Sequence, residues 1–179
     1  DNLTMTRTKS VEIIGLFVSP RSKRSVVIPQ PAVPGFTRVD TVKILGFTFS
    51  RKFSVTQHVE NILAASAQTL FALRTLRHHG MPVSAIQTVF QAIVVAKLSY
   101  ASPAWWGFAN MADRGRLEAF LRRAARLGYR CLTDETMSDI CARADDRLFD
   151  NIISRGNKHL LCPLFPPVRS HHYSLRKRS

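Results

Sequence analysis

From Ser54 onward the apolar residues recur every three or four positions; before it they come in short runs. Val59, Ile62, Leu63, Ser66, Leu70 and Leu73 share one side of a helix. Ahead of them, Ser54-Val55-Thr56-Gln57 has the S-x-x-Q form of a capping box, which predicts the helix start. Arg74, Arg77, His78 and His79 suit the negative end of that helix, and Gly80 and Pro82 stop it. A second helix follows Pro82, with Ile86, Val89, Phe90, Ile93, Val94 and Leu98 facing inward and Pro103 bounding it. A third runs from about Asp113 to Leu127 with Leu117, Phe120, Leu121 and Ala124 inward. A fourth spans Thr136 to Ser154 on Met137, Ile140, Cys141, Ala144, Leu148 and Ile152, closed by Gly156.

The pattern before Ser54 is β-like. Val11, Ile13, Ile14, Leu16 and Val18 form one apolar run ending at Ser19-Pro20, and Val26-Val27-Ile28 forms another after a basic turn. A link with Pro29, Pro31 and Pro34-Gly35 leads to a third run, Val42 to Phe49, rich in β-branched and aromatic residues. Two or three antiparallel strands are expected. The predicted class is therefore α+β: a small antiparallel β unit over 1–53, a mainly α four-helix array over 54–156, and a basic extended tail over 157–179.

Composition adds a partner to this outline. Hydrophobic residues make up 45% of the 179, enough for a core and too many for a disordered tail. Lys and Arg number 26 against 12 Asp and Glu, a net charge of +14 with His neutral. That excess is beyond what solubility asks, and a polyanion is its natural complement. Nucleic acid fits best, because neutralising phosphates releases counterions. The three cysteines, Cys131, Cys141 and Cys162, form no C-x-x-C pair, so an intracellular compartment without a disulfide frame is expected. Ala92 to Ala96 is interrupted at Lys97, so no apolar run of membrane-spanning length is expected. An anionic membrane surface, as for a basic peripheral membrane protein, is the weaker competitor to nucleic acid, and no membrane partner is expected. No signal peptide is seen, and an opening at Asp1 rather than Met suggests a lost start.

The third helix carries the strongest binding signal. Arg114, Arg116, Arg122, Arg123, Arg126 and Arg130 accompany only Asp113 and Glu118, whereas solvated helix faces mix signs. Arg74 and Arg77 extend the same basic stripe, and such contacts position a backbone without reading bases. Trp105, Trp106 and Tyr100 read as core at a helix junction rather than a base-stacking platform. Asp145-Asp146 after Ala144 has the letters of a polymerase metal box, but a helical pattern among Arg143 and Arg147 makes it a pair of surface acids bonded to those arginines. His78-His79 and His171-His172 lack the i, i+4 spacing that aims two imidazoles at one ion, so no metal site is expected in this chain.

Several landmarks come in a familiar order. Met5 to Ile14, with Lys9-Ser10 at its centre, resembles the segment near the end of the palm in reverse transcriptases of non-LTR (LINE-like, jockey-type) retrotransposons, where Met5 and Thr6 stand for the usual Leu and Asn. Val42 to Phe49 looks like that family's primer-grip strand. Ser54 to His58, the Arg-rich helices and Tyr100 to Gly107 look like its thumb, and Tyr173-Ser174-Leu175-Arg176 is similar to the chain beyond. The resemblance implies RNA-templated DNA synthesis, with Mg²⁺ in the parent enzyme but no cofactor in this fragment, whose metal-binding aspartates would precede Asp1. It implies Lys9 as a general acid for the departing pyrophosphate, and Leu45, Gly46 and Phe47 as the primer grip. Lys43, Arg74, Arg77, Arg116, Arg122, Arg123, Arg126 and Arg130 would contact a template–primer duplex. The missing fingers and palm would be the protein partner, and the nucleus the place of work. The competing reading is an independent basic helical module that binds RNA or DNA with no polymerase role.

Overall fold

The computed structural model describes residues 10–15 and 31–166. Lys9, the Val26–Ile28 run and the basic end of the tail lie outside the described residues. The described strands are β1 (Val11–Glu12), β2 (Thr37–Arg38), β3 (Thr41–Ile44) and β4 (Phe47–Ser50). Then come α1 (Thr56–His78), α2 (Val83–Val89) continuing through a π-helical segment (Phe90–Val95) into α3 (Ala96–Ser99), the short α4 (Ser102–Trp105), α5 (Met111–Arg126) and α6 (Met137–Arg155). The class is α+β with helices dominant, as the pattern predicts.

The β region departs from expectation twice. β1 and β2 pair in parallel, with the Glu12 carboxylate accepting from Arg38 Nε at 3.0 Å. The long link between them permits this, since parallel strands need a crossover rather than a tight turn. The run from Val42 to Phe49 is two strands: β3 and β4 form a hairpin that pairs Val42 with Phe49 and Ile44 with Phe47. Leu45 and Gly46 make the turn with φ of 49° and 86°, positive at both central positions as in a type I′ turn. Tyr100 secures it. Its hydroxyl donates to the Leu45 carbonyl at 3.3 Å, and its ring edge lies 3.7 Å from where a Cβ on Gly46 would stand.

α1 starts two residues later than the expected cap. Val55 is buried as the first core residue and takes the N-cap position, with no side-chain cap bond. The Ser54 hydroxyl turns to Thr56 Oγ1 instead, and the Gln57 amide donates to Asn61, so the predicted box does not form. Thr56 in turn donates to Asp113 Oδ2 at 2.7 Å, which fastens the first turn of α1 to that of α5. A capping box does occur at α6, where Thr136 and Asp139 exchange bonds. Its N3 acid is an aspartate rather than the usual Glu or Gln.

One core joins all of these helices. Val59, Leu73, Leu117, Ala124, Met137 and Cys141 are each almost fully buried, as their spacing predicts. The second helix is the exception. Ile86, Phe90, Val94 and Leu98 are all at 0% exposure, a strict four-residue ladder. An ideal α-helix drifts about 40° per four residues. The π segment, with its wider i→i+5 turn, absorbs that drift and keeps the ladder facing the core. The cost falls on Ile93, predicted inward but 45% exposed, while Val95 is buried in its stead.

At the corner beyond, Ala101 adopts φ 52° and Pro103 occupies the first turn of α4. Trp105 and Trp106 are core residues, as expected; the Trp105 indole donates to the Tyr100 carbonyl at 3.0 Å. Tyr100, expected to be core with them, is 57% exposed because its ring covers the hairpin turn. Of the expected tail, the described residues 157–166 are not extended but carry 3₁₀ turns at Gly156–Lys158 and Cys162–Leu164, and Phe165 meets Phe149 of α6 edge-on at 5.7 Å. Residues 167–179 lie outside the described residues.

Candidate nucleic-acid interface

The two helices that carry the arginines run side by side in the same direction. Thr56 meets Asp113 near their starts, Glu60 meets Arg116, and Arg77 reaches the Leu127 carbonyl at 2.7 Å near their ends. Between them lies a groove of about 500 Å³ with an apolar floor of Leu63, Ala67, Ala119 and Phe120. Arg116, Arg123 and Arg126 also line it. A second groove of about 380 Å³ adjoins it, lined by Ala119, Arg122, Arg126 and Leu132. Arg126 borders both. Arg122, Arg123 and Arg126 are exposed, and among the described residues no carboxylate forms an ion pair with any of them.

The other arginines of the stripe are committed elsewhere. Arg130 is 7% exposed, pairs with Asp134 at 3.2 Å and donates to the Glu135 carbonyl at 2.7 Å. Arg114 donates to the carbonyls of Ala109 and Trp106 and lies 4.7 Å above the Trp106 ring. Arg77 lies 4.7 Å over Tyr129 as well as holding Leu127. Arg116 is shared by Glu60 at 3.5 Å and Asp113 at 3.4 Å. Arginine serves these structural roles because its planar fork satisfies several carbonyls at once and stacks on rings. Arg74 is exposed on α1.

The hairpin forms a separate place. Lys43 is exposed and pairs with Thr48 across the strands. Leu45 is 87% exposed at the turn, and Phe47 is half-buried against His58 at 4.9 Å. His58 lies near the start of α1, about 13 Å along the helix from Ala67 in the groove. The structure thus gathers Arg122, Arg123 and Arg126, and sets Lys43 and Leu45-Gly46-Phe47 toward the other end of α1. Glu60 and Asp113 are the residues a linear reading misses. Only the i, i+3 spacing of Asp113 and Arg116 hints at the clamp.

Titratable groups add little chemistry. Burial holds the His58 imidazole below its ordinary range. Burial likewise pushes the Cys141 thiol up to about 11, with the Ser102 hydroxyl pulling the other way. Cys131 is exposed, and its thiol is lowered by the Thr133 hydroxyl 3.0 Å away. The Mg²⁺ implied for the parent enzyme finds no fit here. Asp145 and Asp146 are exposed on α6, where neighbouring side chains diverge by about 100°. Arg143 pairs with Glu135 rather than with them. Among the described residues no group of three or more His, Cys, Asp or Glu is placed to hold a metal.

Comparison with family models, curated proteins and solved structures returns no match. By length and apolarity alone, Val83–Phe108 passes as a stretch able to cross a membrane, at a mean hydropathy of 1.3, contrary to the shorter runs read from sequence. In this fold the stretch turns at the Tyr100–Ala101 corner, and 28% of its most apolar window is buried, with Phe90, Val94 and Leu98 in the protein core.

Proposed function

We propose that the chain is the palm-edge and thumb portion of a non-LTR retrotransposon reverse transcriptase, and that it grips a template–primer duplex through α5 without catalysing synthesis itself. The observation that supports this most is the trio Arg122, Arg123 and Arg126. They are exposed, free of carboxylate partners among the described residues, and line two adjoining grooves. Contacts of this kind grip a phosphate backbone without reading sequence. The order of sequence landmarks from Lys9 to Tyr173 supplies the link to the polymerase family.

The test is equilibrium binding to an RNA–DNA duplex across a salt series. Each phosphate contact adds about 0.9 to the slope of log affinity against log salt. Replacing Arg122, Arg123 and Arg126 together by Ala is expected to flatten that slope by about 2 to 3 and to leave the helical signal unchanged. A salt response that is flat in the parent chain, or unaltered in the variant, would refute the interface. Equal affinity for unrelated duplexes and single strands, with no gain on adding the upstream palm, would favour an independent binding module.

A further inference from the structure

The groove between α1 and α5 changes character along its length. Toward the helix ends Arg123 and Arg126 line it, without carboxylate partners among the described residues. Toward the helix starts Arg116 also lines it, but is held by two acids at once. Those acids differ. Asp113 has a side chain only 3% exposed and already accepts a 2.7 Å bond from Thr56, so it is fixed in the core. Glu60 has a side chain 47% exposed and a 3.5 Å contact to Arg116, so it is an exposed anion beside the groove-lining Arg116.

Resting on the nucleic-acid reading above, we propose that Glu60 ends the phosphate track by withdrawing Arg116 from it. Two effects act together. Arg116 spends its charge on carboxylates, and the Glu60 charge repels a phosphate arriving at that end. Screening confines the second effect to about 8 Å at physiological ionic strength. Ala67 lies about 10 Å further along α1 at about 1.5 Å per residue. The acid therefore acts mainly on the first turn of the groove and is largely screened from the Arg123–Arg126 end. The backbone is held on one side of a defined limit, which fixes how many phosphates the surface engages and where the strand leaves it.

The experiment compares wild type, Glu60→Gln, and Glu60→Gln with Arg116→Gln on one RNA–DNA duplex over a salt series, with helicity and melting as fold controls. Glu60→Gln leaves Arg116 with its 3.4 Å Asp113 contact alone and removes the anion beside it, so the salt slope steepens by up to about 0.9. On lowering salt from about 200 mM to about 50 mM it gains up to about 3-fold more affinity than wild type does. The double variant returns to the wild-type slope. A Glu60→Gln slope equal to wild type, in a chain whose binding still depends on Arg122, Arg123 and Arg126, overturns the acid stop and leaves the interface standing. A double variant that keeps the steeper slope overturns the role given to Arg116. Absence of duplex binding by wild type removes the interface and the stop together.

Discussion

Asp113 ties the start of α1 to the start of α5. It is 2% exposed, it accepts from Thr56 Oγ1 at 2.7 Å, and its backbone N–H donates to the Asn110 cap at 2.8 Å. Asp113→Ala removes a charge-assisted bond, of order 1.5 to 3 kcal/mol, and leaves the part-buried Thr56 hydroxyl short of an acceptor, about 1 kcal/mol more. The Arg116 contact adds little, because Arg116 is 44% exposed and the distance is 3.4 Å. The total is about 3 to 4 kcal/mol, a fall in Tm of about 10 °C for a chain of this size. Thr56→Val removes the donor rather than the acceptor and leaves the buried Asp113 carboxylate without its shortest bond, so it is expected to cost at least as much. Urea unfolding followed by circular dichroism, on both single variants and the double, gives the coupling. The double should cost less than the sum by about 1 to 2 kcal/mol. Additive losses, or an Asp113→Ala cost under about 1 kcal/mol, would show that this bond does not tie the two helices.

Two further predictions follow from backbone strain and burial. Leu45 holds φ 49° in a turn that suits Asn or Gly, so Leu45→Asn should stabilise the protein by about 1 kcal/mol and raise Tm by about 2 to 4 °C; an unchanged or lower Tm contradicts the strain argument. His58 is kept below its ordinary 6.5 by burial, so the unfolded chain takes up a proton first as pH falls. Stability from the neutral ring is complete above about pH 6.5 and declines as pH drops below it toward the lowered folded value. The urea midpoint should fall between about pH 7 and pH 5 and do so less in His58→Phe; equal midpoints across that window would refute the effect.

Much of the helical fold was legible because burial repeats at helical spacing. Val59, Leu73, Leu117, Phe120, Leu121, Met137 and Ile140 are each buried where periodicity puts them, and Gly80 and Gly156 stand past the helix ends with positive φ. The hairpin was not legible, because Leu45 is no turn residue and only the three-residue step from Ile44 to Phe47 interrupts the alternation of Val42, Ile44, Phe47 and Phe49. The π segment hid for a related reason: a ladder at four-residue spacing is close enough to an α-helical face that the misfit appears only at Ile93. The division of the arginines was the least visible. Whether an arginine faces solvent or holds a carbonyl is settled by tertiary neighbours: Trp106 for Arg114, Leu127 for Arg77 and Glu135 for Arg130.

The shared direction of α1 and α5 has an electrostatic meaning. Each helix presents about half a negative charge at its C-terminal end, and here the two ends lie together, near the Arg77–Leu127 bond. Arg77, Arg123 and Arg126 fall in or near those last turns. Cations crowded into one region would otherwise drive one another apart in the free protein. The paired dipoles act as a resident counter-charge that holds these arginines in place, so the cationic cluster is preformed by the fold itself.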